Sequence, residues 1–141
     1  MKKHWWPEPD AGEIVWCNFP EDAGIDPSVK PRPAFIFKVF DDEAPHYHVE
    51  VVYGTSKKTD KLHAGEFLIS NNEHTAYQLA GLSYSTKFNF RNTAQLPFND
   101  DWFKVPPKAP HGKSPKLGVL HPSIIKKVQA AWNVVKKTKS K

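Results

Sequence analysis

Apolar and polar positions alternate in short runs along most of the chain, then change period near its end. In "EIVWCNF" (Glu13 to Phe19), Ile14 and Trp16 alternate with Val15, Cys17 and Phe19. Both sets are mostly apolar, so the run predicts a strand covered on both faces. Gly12 before it and Pro20 after it punctuate the element. "AFIFKVF" (Ala34 to Phe40) and "HYHVEVVYG" (His46 to Gly54) predict the second and third strands, with "DDEAP" turning the chain between them. "EFLIS" (Glu66 to Ser70) and "TKFNF" (Thr86 to Phe90) predict two more.

In "HPSIIKKVQAAWNVVKK" the apolar spacing becomes helical. Ile124, Ile125, Val128, Ala131, Trp132 and Val135 share one face, and Pro122 suits the first turn. The segment Asn71 to Tyr77 predicts a short second helix. Five strands, long loops and a late helix give a mainly β fold with a C-terminal α-helix, curled into a small barrel. Trp16 and Trp132 fall in core positions by pattern. Trp5 and Trp6 suit packing as a lid more than stacking on a ligand. Trp102 and Phe103 are the expected anchors of the proline-rich stretch Leu96 to Ser114.

At 141 residues the chain fits one domain. Residues 1–11 read as an N-terminal extension, 12–135 as the barrel with its helix, and 136–141 as a basic tail. The single cysteine, Cys17, leaves no internal disulfide and no cysteine-based zinc site, and its mid-strand place predicts a small buried hydrophobe. No apolar run has the length of a membrane span, and "MKKHWWPEPD" has no signal-peptide core, so a cytoplasmic protein is expected. Net charge is +5, with four lysines supplied by "KKTKSK" at the end. That balance favours a polyanionic partner without specifying one.

Only Arg32 and Arg91 among the 20 basic residues are arginine. Arg32 stands between Pro31 and Pro33, which restrict the backbone on both sides and push it toward extended geometry. A guanidinium so held is permanently charged and forked to match a phosphate. An ion pair with Glu21 or Asp22 is the plainer use of the same side chain. The third strand ends in "VVYGTSKK" (Val51 to Lys58), where a glycine is followed by two hydroxyls and two lysines. This suits a phosphate site as well as an ordinary polar turn. His46, His48 and Glu50 share a strand face, which suits a metal or plain solvation; His63, near the same turn, is the first candidate proton acceptor.

Taken in order, "GEIVWCNFP", a long loop, "KPRPAFIF", and a strand ending "VVYGTS" resemble the MazF/PemK family of toxin ribonucleases. "GLSYSTKFNF" and "PKLGVLHPSIIKKVQAAWNVV" are similar in placement to later family segments. The resemblance implies an SH3-like (PemK-like) small β-barrel, a homodimer, and metal-independent cleavage of single-stranded RNA with no cofactor. It carries the catalytic roles to Arg32 and Thr55. Lys30, Ser56, Lys57, Lys58, His63 and Lys87 are the candidate RNA contacts. A small acidic antitoxin protein is the implied partner, and the expected products carry 2′,3′-cyclic phosphate and 5′-hydroxyl ends. The long loop before Arg32, the Leu96 to Ser114 stretch and the Trp5–Trp6 pair depart from the family's pattern. Two other readings stay open: a non-catalytic module binding nucleic acid or a host protein on the same barrel, and a histidine-dependent hydrolase.

Overall fold

A computed structural model describes residues 3–20 and 30–139, the last two by backbone only. Six strands form one antiparallel sheet: β1 (Glu13–Cys17), β2 (Arg32–Phe40), β3 (His48–Thr55), β4 (Glu66–Ile69), β5 (Thr86–Pro97) and β6 (Lys116–Val119). Helix α1 (His74–Leu79) lies between β4 and β5. A short 3-10 turn (Pro122–Ile124) leads into α2 (Ile125–Lys139). The strand order is β4-β5-β3-β2-β1-β6, a curled half-barrel.

The curl has a local cause. Pairing shifts register within β1/β6, β2/β3 and β3/β5, and each added residue bends its strand and raises its twist. The largest shift is in β5. Val52 pairs with Thr93 but Tyr53 pairs with Asn89, so three residues, Phe90 to Asn92, loop out of the ladder. They do not hang free: the Phe90 N–H donates to the Gly65 carbonyl at 2.9 Å and Arg91 Nε to the Ala64 carbonyl at 3.0 Å. Beyond the bend β5 pairs with β4, which extends the sheet by one strand.

Both faces of the sheet are covered, as the doubly apolar β1 predicts. On one side Phe35, Phe67, Phe88 and Phe90 meet Val128, Ala131 and Val135 of α2. The Phe67 and Phe88 rings stack at 5.3 Å, and Phe35 meets Phe67 edge-on at 6.0 Å. Such pairs add about 0.5–1.5 kcal/mol each beyond area burial. On the other side Val15, Ile36, Val49 and Val51 pack under Trp6, Phe98 and Phe103.

Several elements differ from the sequence expectation. β5 runs on to Pro97, because the polar stretch after Phe90 resumes pairing with β3. β6 was not expected; "KLGV" is too short to show a period, and β1 supplies its partner. The N-terminal residues pack on the second core, as the lid expected of Trp5 and Trp6. Trp6 is buried, its N–H donates to the Phe98 carbonyl and its Nε1 to the Phe103 carbonyl, both at 3.0 Å. The Leu96 to Ser114 stretch is equally integral: Phe103 is fully buried, and the Asn18 N–H donates to the Trp102 carbonyl at 2.7 Å. Phe98 shares the anchoring with Phe103, while Trp102 is only partly buried. The basic tail expected from residue 136 continues α2 to Lys139, and residues 140 and 141 lie outside the described residues. No helix among the described residues is long and apolar enough to cross a membrane.

Candidate functional site

Arg32 opens β2 and Thr55 closes β3. The two strands are antiparallel with Ala34 opposite Tyr53. Continuing that register sets Pro33 opposite Gly54 and Arg32 opposite Thr55. Directly opposed residues project from the same side of a sheet, so the two side chains start from adjacent positions on one face. Both line one groove of about 500 Å³.

Gly54 makes this approach possible. A Cβ there would lie 2.5 Å from the Pro33 carbonyl oxygen and 2.8 Å from the Phe88 ring. Only a residue without a side chain lets the ends of β2 and β3 close together. Thr55 is then fixed by a turn, its Oγ1 accepting from the Lys57 N–H at 3.1 Å. The Arg32 side chain makes no ion pair or hydrogen bond with any described residue. The alternative pairing with Glu21 or Asp22 falls outside the described residues.

Other parts of the chain complete the groove. Lys30 and Ser56 line it beside Arg32 and Thr55. Ser83, Tyr84 and Thr86 contribute from the α1–β5 connection, and Pro106, Pro107 and Lys108 from the β5–β6 connection. Trp16, expected in the core, packs against it while partly exposed, and its open side lines the groove. Its strand leaves β6 at this point and takes hydrogen bonds from the β5–β6 connection, with the Lys104 N–H donating to the Trp16 carbonyl at 3.1 Å. The groove is basic: Lys30, Arg32 and Lys108 line it, and no aspartate, glutamate or histidine does among the described residues.

A second close approach lies in the same groove wall. Gly81 has φ +70°, and a Cβ there would come within 2.0 Å of the Leu117 carbonyl oxygen. The exit of α1 therefore rests on β6 backbone to backbone, which holds the 82–86 segment at the groove.

The remaining candidates are placed elsewhere. Lys57 and Lys58 are exposed beyond the groove wall, on the turn that follows Thr55. His63 is not in the groove; it sits in the turn before β4, where its N–H donates to the Glu66 carboxylate at 2.7 Å. The His63 imidazole is therefore not among the side chains that line the groove with Arg32 and Thr55. Lys87, expected as an RNA contact, is enclosed. Its side chain is only 7% exposed, and its ammonium donates to Glu66 at 3.2 Å and to the Lys61 carbonyl at 2.9 Å. Lys87 is the ladder partner of Thr55 and starts from the same face of the sheet, but its side chain is drawn to Glu66 and the Lys61 carbonyl and enclosed there, which single-sequence reading of a lysine does not anticipate. Cys17 is fully buried, and burial pushes its thiol far above the ordinary range, so it holds no nucleophilic thiolate. His46 is stacked on Trp5 at 4.4 Å, and His48 lies 5.9 Å from the same ring. Among the described residues no three His, Cys, Asp or Glu side chains are grouped to hold a metal ion.

The residues that sequence reasoning missed are Tyr84, Lys108 and the prolines around it. The visible signal was an aromatic inside the turn-forming run "SYS", and a lysine inside "PPKAP". Neither indicates on its own which surface it joins. The chain matches no protein-family model, and no curated protein is similar to it in sequence.

Proposed function

We propose that the protein is a PemK-like endoribonuclease on an SH3-like barrel that cleaves single-stranded RNA without metal. The observation that carries this reading is the shared groove: Arg32 and Thr55, opposed across β2 and β3, line one basic cleft. RNA brings its own nucleophile, so the protein's task is to orient the 2′-hydroxyl and stabilise the charge gathering on phosphate.

The 2′ oxygen attacks phosphorus, the P–O5′ bond breaks, and a 2′,3′-cyclic phosphate and a 5′-hydroxyl result. The 2′ proton leaves to solvent and O5′ takes one up. Arg32 holds the non-bridging oxygens as a bidentate donor. Thr55 donates its hydroxyl to the same centre. The described wall offers cations and hydroxyls but no imidazole or carboxylate, which favours charge stabilisation over general-base catalysis. DNA lacks the nucleophile and is bound without being cut.

A toxin of this kind acts as a homodimer in the cytoplasm, paired with a small acidic antitoxin. The antitoxin lays an acidic, partly disordered segment across the groove between Lys30 and Lys108.

The test is incubation of purified protein with end-labelled single-stranded RNA in the presence of a chelator, with the product ends identified. Wild-type cleavage that Arg32→Ala abolishes, with RNA binding largely retained, supports the nuclease. Equal cleavage by Arg32→Ala overturns it. Binding without cleavage by the wild type leaves the non-catalytic module on the same scaffold.

A further inference from the structure

The groove holds one feature that phosphate chemistry does not use. Tyr84 is 71% exposed, the most exposed large hydrophobic side chain among the described residues. It nevertheless lines the same groove as Arg32 and Thr55. Two hydrogen bonds hold its turn: the Thr86 hydroxyl donates to the Tyr84 carbonyl at 2.8 Å, and the Ser85 hydroxyl accepts from the Asn71 N–H at 2.9 Å. The ring is thus an open aromatic face on a fixed backbone.

The β5–β6 connection brings a second rigid surface to this groove. Pro106 is buried and anchors it, while Pro107 and Pro110 are exposed and line the cleft. A turn closed by the Ala109 N–H to the Pro106 carbonyl at 2.9 Å carries Lys108 at its outer end. Flat apolar faces, three lining cations and no described carboxylate match a strand of stacked bases and phosphates.

We propose that Tyr84, with the proline-rich 106–110 turn, forms a subsite for one unpaired nucleobase next to the scissile linkage. It sets where along the strand the Arg32–Thr55 pair engages. The inference rests on the nuclease reading for the word scissile, but the subsite itself is a binding site and is testable without cleavage.

The probe is a 2′-O-methyl RNA 10-mer, which cannot be cut because its nucleophile is blocked. Its affinity is measured by fluorescence anisotropy, with an abasic nucleotide moved along it one position at a time. In the wild-type protein one position weakens binding by about 5- to 150-fold, the range of a lost base–aromatic stack. In Tyr84→Ala the intact 10-mer binds more weakly by a similar factor, and the abasic position costs nothing further. Tyr84→Phe binds like the wild type.

An abasic penalty of the same size in Tyr84→Ala overturns the subsite. So does failure of the wild type to bind the 10-mer at roughly 0.1 mM, the weak end of non-specific nucleic-acid binding; that outcome reassigns the rim to a protein contact. Cleavage is scored separately. Arg32-dependent cleavage with no effect of Tyr84→Ala keeps the nuclease and removes the subsite. Tyr84-dependent binding without cleavage keeps the subsite and removes the nuclease.

Discussion

A side chain at Gly54 would place its Cβ 2.5 Å from the carbonyl oxygen of Pro33. The contact is backbone on one side and a buried ring, Phe88, on the other. Neither yields easily. The ends of β2 and β3 meet through this glycine, and with them Arg32 and Thr55.

Gly54→Ala therefore has two effects. It destabilises the fold by about 1–3 kcal/mol, the ordinary range for overpacking, measured by urea unfolding. It also separates Arg32 from Thr55, so RNA cleavage falls further than the loss of folded protein explains. Unchanged stability and unchanged cleavage would mean the strand ends do not approach this closely.

On the proposed nuclease reading, Thr55 contributes a hydroxyl to chemistry and little to stability. Thr55→Val removes the acceptor of the Lys57 N–H, which costs about 1 kcal/mol. The rate constant for RNA cleavage drops on the order of 10²-fold, as for loss of one donor to a developing oxyanion. Thr55→Ser keeps both properties. Single-turnover kinetics on a short RNA distinguish this from an effect on binding alone, which would contradict the assignment.

Lys87 and Glu66 are each 7% exposed and face each other at 3.2 Å. Removing one partner leaves a buried charge unmatched. Glu66→Ala costs about 3–5 kcal/mol in urea unfolding, and pairing Glu66→Leu with Lys87→Met restores most of it. RNA affinity in the double variant stays near wild type, because Lys87 is not on the groove. A large loss of affinity there would return Lys87 to the binding surface.

Glu73 ties the start of α1 to α2. Burial alone raises its carboxyl, but the Lys127 ammonium at 2.6 Å and the Ser70 N–H at 2.9 Å outweigh that and hold it below its ordinary value. A depressed native value means the unfolded chain binds more protons in this range, so stability rises with pH through it. The contribution is complete above about pH 4.5 and fades as pH falls through the lower native value. Glu73→Gln removes that part of the acid dependence. Urea midpoints at neutral pH and near pH 4 measure it: the difference between the two narrows in the variant. An unchanged difference would place the acid sensitivity elsewhere.

Strand patterns were legible where a strand is apolar on its buried side and long enough to show it. β1 to β4, the start of β5 and α2 meet that condition. β6, four residues long, does not, and neither does the polar second half of β5, whose pairing depends on β3. The same limit applied to charges. Arg32 stood out as a candidate because two prolines restrict it locally, and Thr55 because it follows a glycine at a strand end. Lys87 and His63 looked equally available, but which way a strand faces and which turn packs on it are settled by distant segments.

Local rules thus determined β1 to β4, the start of β5, the C-terminal helix and the backbone setting of two candidate site residues, because backbone restriction and apolar spacing act over a few neighbours. Tertiary structure alone decided that these side chains share a groove. It also brought Tyr84 and the 106–110 turn to it and enclosed Lys87 with Glu66. Those outcomes depend on sheet register and on backbone contacts between residues far apart in the chain, Gly54 with Pro33 and Gly81 with Leu117. No short window of sequence carries that information.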